Sequence, residues 1–499
     1  MTYNALQVLT ACALIFLTAC ASTPMPREGD LYINFTLLDP KTEARTTDAW
    51  MLVADGEIVR TGHGRPPRVE STRMHDMGGA FALPGFIDTH AHVTLGRIAV
   101  RHEGDTPVIV SISEAEITAH NARLLLAHGV TTIRNPGGST EMNRAYNDAV
   151  RDGALLGPEQ LAAGEILDTS RIDGLTLVVA TPAEIEAAVA NQAAAGMNYI
   201  KLYQGLSEDL IRAGVESAHR HGLRAITHNG AISWTRAAEL GVDGIVHAMP
   251  NSADTLTEAA REGYRGAEVV SSHAFYTWWE RVDLDSPQVR ELIDTLAARH
   301  VTVDLTLVVF QKTFWGDDEA VRDDGIEFTH PAMRENWRTF RFDAGWTPEQ
   351  HARARAIWPK IQRFARMLHE AGVQLTIGTD LANPFVAPGY DTLTEMELHR
   401  DAGIPAWAVL RAATSDAAET MGLERRIGRL ARGMEADVVF LSADPSQDIA
   451  NVRSTRAVLL NGARYDAASL RAMPIACSSE RASRSDASSS SRAKCPLTP

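Results

Sequence analysis

The chain has 499 residues, 45% hydrophobic and 22% charged, the proportions of an ordinary globular protein and not of a globally disordered one. That length accommodates one large α/β domain with a smaller companion. A formal net charge of -15 argues against nucleic acid or another polyanion as partner.

In chain order the first feature is an apolar stretch from Val8 to Ala19, too short to span a bilayer by itself and placed where a secretory h-region belongs. It ends in Leu17-Thr18-Ala19-Cys20, which resembles the lipobox of bacterial lipoproteins. The resemblance implies a signal peptide over residues 1–20, a lipid-modified Cys20, a linker over 21–30 and a periplasm-facing position in the cell envelope. Ala21 favours the outer membrane, and secretion into the periplasm is the alternative. Contact with a membrane would then be through the lipid anchor only. No Lys or Arg precedes the apolar stretch, a departure from the usual leader.

Short strands and turns follow over 32–38, 50–53 and 57–60, the last after the turn at Asp55-Gly56. The far end echoes them over 437–441 and 457–462. Two small β segments at opposite ends of a chain are most simply the halves of one β-sandwich, here residues 31–84 plus 428–470, with residues 85–427 inserted between them. Inside the insertion, eight short apolar runs alternate with helical stretches, over 83–88, 131–134, 161–164, 199–203, 224–228, 244–247, 301–307 and 374–380. That pattern predicts an α/β protein built on a (β/α)8 TIM barrel. Ser286-Pro287 opens one of its helices and Ala371-Gly372 closes another. The stretch 311–346 reads as a long polar loop with Trp315, Trp337 and Phe340, either a lid or a surface excursion with an aromatic anchor. Residues 471–499 are Ser-rich and too poor in apolar groups to fold; Cys477 and Cys495 there are free to pair, without anything requiring it.

In a barrel of this kind, chemistry sits at the C-terminal ends of the strands. There the sequence places His90 and His92, Lys201, His228, His247 and Asp380. His90 and His92 are two residues apart on an extended segment, so both face one side. Neutral imidazole and carboxylate both bind zinc, at about 2.0 to 2.2 Å. No cysteine falls in the barrel, so a transition metal there must use histidine, carboxylate or a modified lysine. Lys201 as an ammonium has no lone pair to give. Carboxylation by carbon dioxide would make it an anion with two oxygens, able to bridge two metals about 3.5 to 4 Å apart. The remaining histidines His128, His219, His221, His300, His369 and His399 read as helix ends or solvated faces, and Trp278 and Trp279 as packing.

With Gly85-Phe86-Ile87-Asp88-Thr89-His90-Ala91-His92, Gly129-Val130-Thr131-Thr132-Ile133-Arg134, Tyr199-Ile200-Lys201-Leu202, Gly378-Thr379-Asp380, Ala412-Ala413-Thr414 and Gly433-Met434-Glu435-Ala436-Asp437-Val438-Val439, the chain resembles the amidohydrolase superfamily from Leu31 to about Tyr465. More narrowly, it resembles the imidazolonepropionase-like or Xaa-Pro (Xaa-Arg) dipeptidase-like branch of that superfamily. The resemblance implies two divalent metal ions, zinc by preference. His90, His92 and Asp380 would hold the buried one and His228 and His247 the outer one, with carboxylated Lys201 between them. Asp380 would also take the proton of the bridging water and return it to the leaving group. Tyr203, two residues beyond Lys201, is a candidate for binding the carbonyl oxygen or carboxylate of a small-molecule substrate. Two departures from the family pattern stand out: Asn135-Pro136-Gly137-Gly138 where Asp-Gly-Gly is usual, and Ile245-Val246-His247 where Ile-Glu-His is usual. The implied reaction is hydrolysis of an amide bond in a dipeptide, an N-acyl amino acid or a similar compound. A cyclic amidase, lactonase or deaminase would use the same centre, and an envelope binding lipoprotein would use only the fold. The sequence is compatible with a homo-oligomer.

Overall fold

Alternating apolar residues from both ends of the chain meet in one sheet. The computed structural model describes residues 28–68, 72–104, 106–264 and 273–475. The lipobox-like segment and residues 476–499 of the Ser-rich tail, with Cys477 and Cys495, lie outside the described residues, and helix Ala467–Ala472 runs into the first two residues of the stretch expected not to fold. Strands Gly29–Asp39, Ala44–Ala54, Glu57–His63 and Thr72–Pro84 join Val438–Leu441, Thr455–Leu460 and Ala463–Asp466. Thr72–Pro84 is the seam, parallel to Gly29–Asp39 along most of its length and antiparallel to Val438–Leu441 at its last four residues. Because this 13-residue strand serves both halves, the expected β-sandwich is observed as one hydrogen-bonded seven-stranded sheet. Tyr32, Phe35, Met51, Met77, Val438 and Phe440 pack into one buried cluster that draws on both ends of the chain.

All eight apolar runs of the insertion contain strands. They form two arcs of parallel strands. The first is Phe86–Asp88, Val130–Asn135 and Glu159–Ala162. The second is Tyr199–Leu202, Arg224–Thr227, Gly244–Val246, Thr302–Asp304 and Leu375–Thr376, with Ile166–Asp168 and Thr176–Val178 added at its edge. The predicted single closed ladder is therefore interrupted. Its strands are only two to six residues long, and the register shifts between Phe86 and Ile87. Hydrogen bonds cross both junctions: Asn198 N donates to Ala162 O (2.8 Å), and Thr89 N donates to Ile377 O (2.8 Å). The run 83–88 is itself two strands, split at Gly85, where a Cβ would stand 2.1 Å from Thr131 Oγ1. Only glycine lets the chain pass that close while it leaves one sheet for the other.

The 311–346 stretch is more ordered than its polarity suggests. It contains the end of helix Leu307–Phe314, then Glu319–Arg322 and Pro331–Asn336, and leads to Pro348–Glu370. Asp318 and His330 cap two of these helices and Pro331 opens one, local signals that a reading of overall polarity passes over. Trp337 is buried, the aromatic anchor of the second expectation. Trp278 and Trp279 are buried in the core, with their indole N–H groups donating to Ser252 O (3.0 Å) and Ala248 O (3.1 Å). His128 and His399 are buried and not solvated as expected. His128 does end a helix, donating through Nδ1 to Leu124 O (2.8 Å), and His399 faces Glu395 one turn away. A hairpin of Arg97–Glu103 and Thr106–Ile112, which the sequence reading passed over, stands beside the first strand end.

Candidate metal centre

The strand ends are drawn together by a buried carboxylate. Asp88 accepts hydrogen bonds from His90 N (3.0 Å), Thr379 N (3.2 Å), Thr379 Oγ1 (2.8 Å) and Thr392 Oγ1 (2.8 Å). It thus ties the end of the first strand to the segment that carries Asp380. Gly378 permits the approach: a Cβ there would stand 2.8 Å from His90 Cβ and 3.0 Å from Asp304 Cγ. His247 (φ 69°), Thr306 (φ 47°) and Asp380 (φ 60°) all occupy the left-handed region. That conformation is unfavourable for side chains of this size and persists only where surrounding contacts impose it, commonly at functional sites.

The seven residues singled out from the sequence, His90, His92, Lys201, Tyr203, His228, His247 and Asp380, all line one cavity of about 250 Å³. His90 Nε2 and His92 Nε2 lie 3.2 and 3.3 Å from Asp380 Oδ1, and His247 Nδ1 lies 3.6 Å from Asp380 Oδ2. One donor atom from each of His90, His247 and Asp380 falls within 4.8 Å of the others. His247 therefore approaches the same carboxylate as the histidine pair, closer in than an outer ligand alone requires. The rings of His228 and His247 stand 4.4 Å apart, and Tyr203 meets His228 edge-on at 5.0 Å.

The far nitrogens of the first pair are already committed. His92 Nδ1 donates to Gly137 O (2.7 Å), and His90 Nδ1 donates to the Asp304 carboxylate (3.1 Å). Since a carbonyl and a carboxylate only accept, each imidazole in its neutral form turns an Nε2 lone pair toward Asp380. Two lone pairs and a carboxylate oxygen facing one point are mutually repulsive without a cation between them. His90 Nε2, both ring nitrogens of His228 and Lys201 Nζ are buried without a hydrogen-bond partner. Buried polar atoms are ordinarily satisfied, so four such atoms in one cavity fit a metal-binding group.

Against the lowering by burial, Asp304 and Asp380 raise His90 above its ordinary value, so a cation at this point, whether a proton or a metal ion, is what the cluster favours. Burial pulls the Lys201 amine down to about 7 against the pull of Asp304 and Asp380, so a neutral amine is accessible near neutral pH. Burial and the neighbouring Lys201 push His228 down to about 3, keeping it a neutral ligand. For Asp380, burial favours the acid, but His90 and His247 outweigh it and hold the carboxyl well below its usual range. Burial raises Tyr203 to about 12, which keeps its hydroxyl a donor.

Two residues that position the site, Asp304 and Asn135, are not legible as such in the sequence. Asp304 is fully buried, holds His90, and accepts from Arg134 Nη2 at 2.6 Å. The one available signal was an acid breaking the apolar run Val301-Thr302-Val303-Asp304-Leu305. Asn135, one of the departures from the family pattern, turns out to be structural. Its Oδ1 accepts from Gly137 N (3.2 Å) and its Nδ2 donates to Gln160 Oε1 (2.9 Å), which fixes the carbonyl that orients His92. Asp304→Asn keeps an acceptor for His90 but leaves Arg134 buried beside a neutral group. It is expected to cost about 3 to 5 kcal/mol of stability and about 10- to 100-fold in metal affinity, measured by thermal melting and zinc titration. Wild-type values for both would exclude a positioning role.

Residues 81–264 and 316–463 match the Amidohydrolase family. An uncharacterised protein of Mycobacterium tuberculosis is 26% identical over 200 residues, 37% of this chain and 49% of that protein, so the matched stretch spans about half the length of that relative. The 5-methylthioadenosine/S-adenosylhomocysteine deaminase of Bacillus cereus is 20% identical over 425 residues, 83% of this chain and 85% of that one. Among solved structures, a Xaa-Pro dipeptidase with methionine bound in its active site superposes with a TM-score of 0.63 at 20% identity, over 88% of this chain and 100% of the other. At that identity the likeness speaks for the fold alone. The family match runs through the segments that carry His90, His92, Lys201, His228, His247 and Asp380, and the chain belongs to the Amidohydrolase family.

Proposed function

We propose that the chain is a metal-dependent amidohydrolase that cleaves an amide bond in a small molecule. The observation that carries this reading is the set of unpartnered donor atoms of His90, His228 and Lys201 converging with Asp380 in one cavity. His90, His92, His228, His247 and Asp380 would hold two divalent ions, zinc by their donor chemistry, with Lys201 carboxylated between them. The two strand arcs are read as one eight-stranded barrel with this centre at its mouth. An envelope location rests on the Leu17–Cys20 motif alone.

Bound divalent ions supply Lewis acidity, polarising a carbonyl and lowering the pKa of water. Asp380, ionised at neutral pH, takes a proton from the attacking water through a carboxylate oxygen and passes it to the leaving nitrogen. The C–N bond breaks and water's oxygen stays with the acyl carbon, so the products are a carboxylic acid and an amine. Tyr203 donates its hydroxyl hydrogen to the carbonyl oxygen as negative charge grows there. Thr306, 2.9 Å from His247 Nδ1, and Asp304 keep the rings from rotating during turnover.

The similarity to a deaminase along most of the chain favours a second reading, loss of an amine from a ring on the same residues. Stripping the purified chain with a chelator, reloading it with zinc and counting ions separates the two. Two ions per chain with hydrolysis of members of an amide panel supports the amidohydrolase. One ion with ammonia released from aminopurines supports the deaminase, and no turnover of either class rejects both.

A further inference from the structure

The wall of the cavity differs in character from its floor. Beyond the histidine cluster it is built from Leu95, Ile166, Met249, Phe275, Phe310 and Phe342. Lys201, on the floor, is the only Lys or Arg among the described residues that line it, and the neutral polar side chains there are Tyr203, Gln204 and Asn383. Arg341, between two lining phenylalanines in sequence, does not line the cavity and is engaged by Asp343 at 2.6 Å. A dipeptide or N-acyl amino acid brings an α-carboxylate to within a few atoms of its scissile carbonyl. Here that carboxylate would be desolvated against aliphatic and aromatic carbon, with no guanidinium among the described lining residues to receive it.

The apolar wall also continues outward. Ile98 and Ile109 of the hairpin line the cavity, and Ile109 pairs directly across the ladder with Val100, which is 59% exposed. Residues directly opposite share a face, so one apolar strip runs from the cavity to solvent. The hairpin is tied to the next segment by Ser111 N donating to Asp173 O (2.8 Å) and Asp173 N donating to Ile109 O (3.0 Å). There Ile172 and Leu175 also line the cavity, and Leu177, two residues on, is exposed. Exposed apolar residues gathered at the mouth of a pocket mark a binding surface more often than chance scatter.

We infer that the site selects an uncharged amide bearing an extended apolar group, which lies along the hairpin strip, and that it discriminates against substrates with a free α-carboxylate. This rests on the hydrolase reading for the bond that is cleaved, and on the cavity wall alone for the selectivity. It narrows the substrate class away from dipeptides and N-acyl amino acids.

A matched pair tests it: N-hexanoyl-phenylalaninamide and N-hexanoyl-phenylalanine, equal in shape and different in one charge. Each is offered to the zinc-loaded full chain for hydrolysis and to the chelated full chain for binding by equilibrium dialysis, which needs no turnover. The neutral amide is expected to bind tighter by about 100-fold, the scale of an unpaired buried charge, and to be the better substrate. Equal or tighter binding of the carboxylate overturns the inference, even if both compounds are hydrolysed and the hydrolase reading stands. Selective binding of the amide without hydrolysis sustains the selectivity while rejecting the hydrolase reading. Ile109→Asp, at an exposed position, should abolish the gain in affinity on lengthening hexanoyl to decanoyl. An undiminished gain overturns the placement of the apolar group along the hairpin.

Discussion

Replacing Asp380 with asparagine is expected to lower kcat by about a thousandfold or more, within the range attributed to a positioned general base. The substitution preserves shape and one acceptor oxygen but removes the charge toward which His90, His92 and His247 are turned at 3.2, 3.3 and 3.6 Å. Two consequences follow. The attacking water loses its proton acceptor, and the histidine nitrogens lose the anion that completes their donor set, so zinc content should fall together with rate. Circular dichroism separates this from unfolding: Asp380 is held by backbone contacts such as Asp380 N to His90 O (2.7 Å), which asparagine retains. A variant with more than a tenth of wild-type kcat would exclude the proton-transfer role, because no other carboxylate lies among the described residues that line the cavity.

Lys201→Met is expected to leave the fold intact and remove nearly all activity. The amine is buried and unpartnered, so an apolar side chain of the same length loses no hydrogen bond and avoids the cost of a buried polar group. Thermal stability should be unchanged or higher. Zinc bound per chain should fall from two to one or fewer, because methionine cannot become a two-oxygen anion between the ions. Lys201→Ala opens space at the same point, and millimolar acetate should recover part of its activity by supplying such an anion, whereas Lys201→Met should not respond. Full activity in Lys201→Met would reject the carboxylated bridge and favour a single-ion centre.

These two residues show how unevenly the site was legible. His90 and His92 could be placed from strand alternation, and Asp380, His228 and His247 from their positions after short apolar runs. Lys201 was legible as a residue out of place on a buried strand. Asp304 and Arg134 were not, since they are 170 residues apart and their ion pair exists only once two strands close on each other. Asn135 read only as a departure from the family pattern, yet its side chain holds the carbonyl that aims His92.

The same division holds for the fold. Local pattern by itself determined the eight apolar runs, the presence of β segments at both ends of the described chain and which six polar residues fall at or just after those runs, because side-chain periodicity and turn chemistry act over a few residues. Tertiary structure alone decided that both β segments share one long strand in a single sheet, that 311–346 carries short helices between its turns, and that a hairpin walls the cavity. It also decided that no described cation but Lys201 lines it. Each of these depends on which distant surfaces exclude water together, and burial of that kind is a property of the assembled chain and not of any segment within it.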